Sequence, residues 1–420
     1  MPVTRGHRRS TAPRVGRSRR IPALMVLLAA ALITSGCASA PSPTPSLATL
    51  APTAGTSAHA SFTPSASPAV APARWADCGS GFQCATVNVP TDYANPGAGS
   101  LNLSLVQLPA RDPAHRIGSL FVNPGGPGGS GIDLVRDGSD AFPAGVLARF
   151  DLVGFDPRGV NLSSPVRCVD NLDNHVALDP SPDDPRELKA LVDDARSFAA
   201  ACGRRNGDEL GHVSTEDVAR DLDLLREAVG DDKLTYLGFS WGTLLGATYA
   251  DLFPDRVRAM ALDGAVDPAL PLDKVRGDQA VGFETALRHF LDDCAERPEC
   301  GLRGSGGPAA VFDRLMARID AAPLPAIRLR DRRKVGPGLA WAAVTGALYS
   351  EAGWSSLEAA LADAQRGDGS LFLAMSDPLN GRDRNGSYRN QIDAYAANTC
   401  ADYPAPDDVA DYTKLADAIR

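Results

Sequence analysis

The stretch LTYLGFSWGTLLGATYADLFPDRV, from Leu234 to Val257, decides how the rest of the chain is read. Leu234–Phe239 is aliphatic, aromatic or β-branched except at Gly238 and reads as a strand. Trp241–Phe253 holds no proline and reads as a helix. Between them stands Gly238-Phe239-Ser240-Trp241-Gly242, a G-x-S-x-G pattern. Small residues at 238 and 242 permit a sharp strand-to-helix turn that lifts the Ser240 Oγ above a sheet. The helix N-terminus behind it favours developing negative charge. The motif in this strand–turn–helix context predicts that Ser240 is a nucleophile, with a buried turn serine as the bland alternative.

An acyl-transfer serine needs an oxyanion hole. One donor is expected from the backbone N–H of Trp241, directly after the nucleophile, and the other from the loop after an earlier strand. The apolar run IGSLFV ends in such a loop, NPGGPGG, Asn123 to Gly129. Pro124 and Pro127 have no N–H, so the second donor is Gly125 or Gly126. The loop lacks the Lys-Ser/Thr of a phosphate-binding loop.

The surrounding sequence alternates strands and helices. FQCATVNVP and LNLSLVQLP read as two strands, and FDLVGFDPRG as a further strand and turn. Residues 187–201 read as a helix. In STEDVARDLDLLREAVG, Ser214 or Thr215 caps a helix whose Val218, Leu222, Leu225 and Val229 share a face. RVRAMALDG is another strand. The fold class is therefore α/β with a mostly parallel sheet. Residues 269–395 read as mainly helical, a cap inserted over the sheet's C-terminal edge.

The chain has 420 residues and a net charge of −9. Residues 1–36 hold seven Arg and no acid, so the rest carries −16. An acidic body argues against nucleic acid and anionic membrane surfaces as partners. The apolar run Ile21–Ile33 is too short to span a bilayer and follows the Arg-rich stretch, as in an export signal. TSGC then predicts Cys37 as a lipid-bearing first residue of the mature chain, with an ordinary cleaved signal as the alternative. Residues 38–73 contain no Asp, Glu, Lys or Arg and are rich in Pro, Ser, Ala and Thr, a tether composition. The expected organisation is signal 1–36, disordered tether 37–74, hydrolase core 75–268, cap 269–395, and an incomplete return 396–420.

The segments NPGGPGGSG, VGFDPRGVNLSSP, DVARDLDLLREAVG, YLGFSWGTLLGATYADLFPDRV and ALDGAVDP occur in this order. Together they resemble the secreted tripeptidyl-aminopeptidase-like branch of the α/β-hydrolases, relatives of the prolyl aminopeptidases. LYSEAGWSSLEAALADAQRGDG and NTCADYP are similar to that branch's cap and the return from it. The resemblance runs from Trp75 to Pro404. It implies that Ser240 is the nucleophile and that Gly126 and Trp241 supply the oxyanion N–H groups. Gly126 matches the second Gly of an H-G-G-P-G loop whose His is Pro124 here. It also implies an acid and a histidine C-terminal to the cap.

Those partners are not evident. Only His289 follows Ser240, inside a predicted cap helix, where a surface or packing role is the plain reading. Asp263, at the end of the strand after the elbow, is the weak candidate for the acid, and LDG more plainly reads as a turn. An exported chain is expected to pair its thiols. Cys78–Cys84, Cys168–Cys202 and Cys294–Cys300 are plausible local pairs, which leaves Cys400 over. The odd cysteine and the missing histidine together lead to the expectation that the chain stops before the last strands, the acid and the base. No C-x-x-C occurs, and neither metal nor cofactor is expected.

The leading expectation is an exported serine exopeptidase acting on peptides with free N-termini through an acyl-enzyme, with tripeptides as the candidate product. Glu284 and Glu351 are conceivable partners for the substrate ammonium, although each also reads as a solvated helix face. A small-ester carboxylesterase and a catalytically dead binding module are the alternatives.

Overall fold

Residues 70–404 and 408–419 are described by the computed structural model of the chain. The expected export signal, Cys37 and all but the end of the tether lie outside them. Folded structure begins before the expected Trp75. Val70 and Ala73 already pack on the core, and the Ala73 N–H donates to the Ala228 carbonyl at 2.8 Å. The last tether residues are short and apolar, so they cover the core at little entropic cost.

The N-terminal strands are β1 (Ala76–Asp77), β2 (Gln83–Pro90) and β3 (Ser100–Leu108). Then follow β4 (Gly118–Asn123), α1 (Gly131–Gly138), α2 (Ala144–Arg149) and β5 (Phe150–Phe155). Helices α3 (Asp173–Ala177), α4 (Pro185–Asn206) and α5 (Thr215–Ala228) lead to β6 (Leu234–Phe239), α6 (Trp241–Leu252) and β7 (Val257–Asp263). The sheet order is β1-β2-β3-β5-β4-β6-β7. The first strands run antiparallel, whereas β5, β4, β6 and β7 are parallel to one another. β7 is the edge strand on the parallel side, opposite β1, and most of its residues are exposed.

Alternation along the strands builds two cores. Leu101, Leu103 and Leu105 of β3 and Phe121 of β4 pack with Val218, Leu222 and Leu225 of α5 on one face. Val106, Leu120 and Val122 face Ile132 and Val135 of α1 on the other. Helix α5 begins at Ser214, whose side chain accepts from the Asp217 N–H, as a capping serine should.

One buried ion pair ties loops from both halves of the sheet. Arg158 and Asp221 are both fully buried. Arg158 Nε and Nη2 donate to the carboxylate at 2.7 and 2.6 Å. Its remaining donors reach the carbonyls of Pro90, Thr91 and His212, and Tyr93 Oη donates to Asp221 at 2.7 Å. A buried charge persists only with this kind of full satisfaction.

Beyond β7 the chain is mainly helical: α7 (Leu272–Glu296), α8 (Gly307–Ala321), α9 (Pro337–Leu348), α10 (Trp354–Gln365) and α11 (Ser370–Leu379). A two-residue pairing of β8 (Leu324–Pro325) with β9 (Lys334–Val335) sits where the sequence reads as loop. These elements enclose a core of their own around Phe290, Phe312, Trp341, Leu357 and Phe372. Helices α12 (Gln391–Asp402) and α13 (Val409–Ile419) follow. Helix α12 runs across the expected boundary at residue 395. No described helix is long and apolar enough to cross a membrane.

The three expected disulfides are present: Cys78–Cys84, Cys168–Cys202 and Cys294–Cys300. Cys400, expected to be left over, is disulfide-bonded as well, which corrects that reading.

Candidate active site

Strand register brings the two motif loops together. Asn123 at the end of β4 lies opposite Gly238 at the end of β6, and Phe239 lies opposite Asp263 of β7. Parallel strands end at one edge, so the loops after β4, β6 and β7 converge there.

Ser240 sits between β6 and α6 with φ 52° and ψ −120°, the left-handed side that a non-glycine residue seldom adopts. Such a conformation costs about 1–3 kcal/mol and is held by its surroundings. The Ser240 N–H donates to the Asp263 carbonyl at 2.8 Å, and the Thr243 N–H and Oγ1 donate to the Ser240 carbonyl at 2.8 and 2.6 Å. The glycines make the turn possible. A Cβ on Gly238 would lie 2.3 Å from the Gly242 carbonyl oxygen, and one on Gly242 would lie 2.8 Å from that of Asn123. The Ser240 side chain makes no capping hydrogen bond and the residue is exposed. Its hydroxyl is thus free at the N-terminus of α6.

The oxyanion loop packs directly on this turn. A Cβ on Gly125 would meet the Phe239 carbonyl oxygen at 2.4 Å and the Trp241 nitrogen at 2.8 Å. Asn123 is buried, and its Oδ1 accepts from the Gly125 N–H at 2.8 Å. With the Gly125 N–H engaged and Pro124 and Pro127 without one, Gly126 is the candidate that remains of the two glycines.

Trp241 is braced from behind. Its Nε1 donates to Thr215 Oγ1 at 3.2 Å, and its ring lies 5.6 Å from that of Tyr403. Asp402 accepts from the Thr215 N–H at 2.6 Å and from Thr215 Oγ1 at 2.7 Å. Burial pushes the Asp402 carboxyl up to about 6, opposed by those two hydrogen bonds. Helix α12 clamps the other side. Asn390 Nδ2 donates to the Gly159 and Val166 carbonyls at 2.7 and 2.8 Å, and its Oδ1 accepts from the Asn161 N–H at 2.8 Å. Asp156, fully buried, gathers Ser130 Oγ at 2.5 Å, Asn161 Nδ2 at 3.0 Å and the Leu162 N–H at 3.1 Å. Asn123, Asn390 and Asp402 are supports that the motif reading missed. Asp402 lies inside NTCADYP, where the resemblance already pointed.

The candidate partners of Ser240 fare differently. Asp263 is brought beside it, but through its backbone carbonyl, and the residue is exposed. His289 is exposed in the middle of α7, and no hydrogen bond or ion pair links it to Ser240. Among the other described histidines, His115 pairs with Asp112 at 2.8 Å and His175 with Asp194 at 2.6 Å. The His212 carbonyl is spent on Arg158. No described histidine hydrogen-bonds Ser240, so among the described residues the hydroxyl has no base. Glu284 is half-buried and paired with Arg288 at 3.0 Å, which neutralises it as a ligand for an ammonium; Glu351 is exposed.

A strained serine at a strand–helix elbow facing a glycine loop defines a nucleophile-elbow hydrolase. The family described as alpha/beta hydrolase fold matches residues 118–305. The chain is 39% identical over 367 residues to the serine protease Hip1 of Mycobacterium tuberculosis, covering 83% of this chain and 70% of that protein. It is 38% identical over 348 residues to carboxylesterase B of the same species, covering 80% and 65%. It is 34% identical over 348 residues to a tripeptidyl aminopeptidase of Streptomyces lividans, covering 79% and 64%. The chain belongs to the α/β-hydrolase serine peptidases, in the branch that these relatives form. It spans about two thirds of their length.

Proposed function

We propose that this chain is an exported serine exopeptidase, which releases short peptides from substrate N-termini through an acyl-enzyme on Ser240. The observation that carries the reading is the geometry of Ser240, strained, exposed and uncapped, with the glycine loop packed on its turn. In the acylation step Ser240 Oγ attacks the scissile carbonyl as its proton passes to a base, and the N–H groups of Gly126 and Trp241 receive the oxyanion. Collapse of the tetrahedral adduct expels the leaving amine, and water then hydrolyses the ester. The names of two relatives, a protease and a tripeptidyl aminopeptidase, support a peptide substrate. The disulfides suit an oxidising compartment, in line with export.

A carboxylesterase relative at 38% identity favours a second reading, hydrolysis of small esters. Turnover of a free-amine tripeptide anilide, its N-acetyl form and a short-chain ester separates the two. An exopeptidase loses activity on acetylation, and equal turnover of blocked and free substrates would sink that reading. A fluorophosphonate probe tests the nucleophile itself. Labelling of the 420-residue chain that vanishes in Ser240→Ala identifies the serine and shows that a base reaches it. Labelling that persists in that variant refutes the assignment. An unlabelled chain would favour the dead binding module.

A further inference from the structure

Arg276 stands near the start of α7 and is buried, 8% exposed. Its Nη1 donates to Gln279 Oε1 at 3.2 Å. Its Nε and Nη2 are buried and have no hydrogen-bond partner among the described residues. A guanidinium carries five donors and is always an expensive group to bury unpaired. Burial lowers its pKa to about 10, opposed by Tyr403 and Tyr349. The face of Tyr395, with the ring centre 5.1 Å from the guanidinium carbon, offsets part of that cost. No described carboxylate pairs with it.

Its surroundings belong to the catalytic edge. The Tyr395 nitrogen lies 3.1 Å from where a Cβ on Gly128 of the oxyanion loop would stand. Tyr403 packs on Trp241, whose N–H is the other oxyanion donor. Helix α7, helix α12 and the elbow therefore meet around one cation with unused, forked donors. A neutral amide fills such a fork poorly, whereas a carboxylate fills it with two parallel hydrogen bonds.

We infer that Arg276 is a specificity residue that receives a carboxylate of the bound peptide, an inference that rests on the peptidase reading of Ser240 given above. The carboxylate comes either from an acidic side chain near the scissile bond or from the C-terminus of a short substrate. In both cases the rings of Tyr395 and Tyr403 shield the pair from water, which strengthens it.

Binding tests this without turnover. Calorimetry on the full chain compares Ala-Ala-Ala as free acid, Ala-Ala-Ala amide and Ala-Ala-Glu amide. Either carboxylate-bearing peptide should bind on the order of ten- to a hundredfold tighter than the neutral amide, the value of charge-assisted hydrogen bonds. Preference for the free acid identifies the terminal carboxylate, and preference for the Glu peptide identifies the side chain. In Arg276→Met that ratio should collapse to near one. If this variant loses its cooperative melting transition, Arg276→Lys carries the test: the point charge stays, the fork is lost, and the ratio should fall yet remain above one. Equal binding of all three peptides to the unaltered chain, or a ratio that survives Arg276→Met, overturns the assignment. A chain whose Ser240 never labels can still show the ratio, so the two readings fail separately.

Discussion

Gly125→Ala tests the oxyanion loop most directly. The added Cβ would stand 2.4 Å from the Phe239 carbonyl oxygen and 2.8 Å from the Trp241 nitrogen, where ordinary contacts begin at 3.4 Å. Both neighbours are backbone of the elbow, and neither can rotate away. The loop must therefore retreat by about 1 Å, the misplacement that costs on the order of a hundredfold in rate at a catalytic centre. The residue also sits at φ 88°, where an L-side chain costs a further 1–2 kcal/mol, roughly. Gly145→Ala is the control, because its Cβ meets nothing within 4 Å and lies in helix α2. The assay is the rate of fluorophosphonate labelling, or kcat/KM on a tripeptide anilide, beside a thermal melt. Gly125→Ala should lose about two orders of magnitude in rate and several degrees in Tm, whereas Gly145→Ala should keep its rate and gain slightly in stability. A Gly125→Ala variant that reacts at the unaltered rate would refute the placement of the loop against the elbow.

Three further outcomes are expected. Arg158→Met leaves Asp221 buried and unpaired and should cost about 3–5 kcal/mol in urea unfolding, with part of the loss recovered in Arg158→Met/Asp221→Leu; a loss below about 1 kcal/mol would contradict the buried pair. Asp402→Asn tests linkage. The folded pKa of Asp402, about 6, lies above its ordinary 3.8, so its favourable contribution is present below 3.8 and disappears as pH rises through about 6. Relative to the unaltered chain, Asp402→Asn should gain at pH 8 over pH 4, by at most about 3 kcal/mol, and a difference flat across that range would refute the shift. Asn390→Ala orphans the Val166 carbonyl and the Asn161 N–H and leaves the Gly159 carbonyl with one donor, the Val166 N–H; amide exchange should rise there first, while exchange in the α8–α10 core should hold.

Local patterns made much of the site legible. The period-2 alternation of β3 and the helical spacing of Val218, Leu222 and Leu225 stand in the structure as read. The elbow was readable because glycine spacing, a strand before it and a helix after it are all consecutive in the chain. The β8–β9 pairing was not, since two-residue strands carry no period. Nor were Asn123, Asn390 and Asp402, because a buried Asn or Asp looks like any loop polar residue until its partners are known. His289 shows the converse: a residue type suited to catalysis, in the right order along the chain, is turned to solvent by helix α7.

By itself the sequence determined the fold class, the elbow that carries Ser240 and the glycine loop that meets it, since each depends on short-range turn chemistry and side-chain periodicity. Tertiary structure alone decided that the Gly125 N–H is spent inside the loop, because that hangs on Asn123 reaching its own loop from the end of β4. It also decided the place of Arg276, whose distance along the chain from Ser240 gives no hint of proximity. Only the packing of α7 on α12, Arg276 against the ring of Tyr395, brings that guanidinium into a desolvated setting, where an unused donor becomes a demand for an anion.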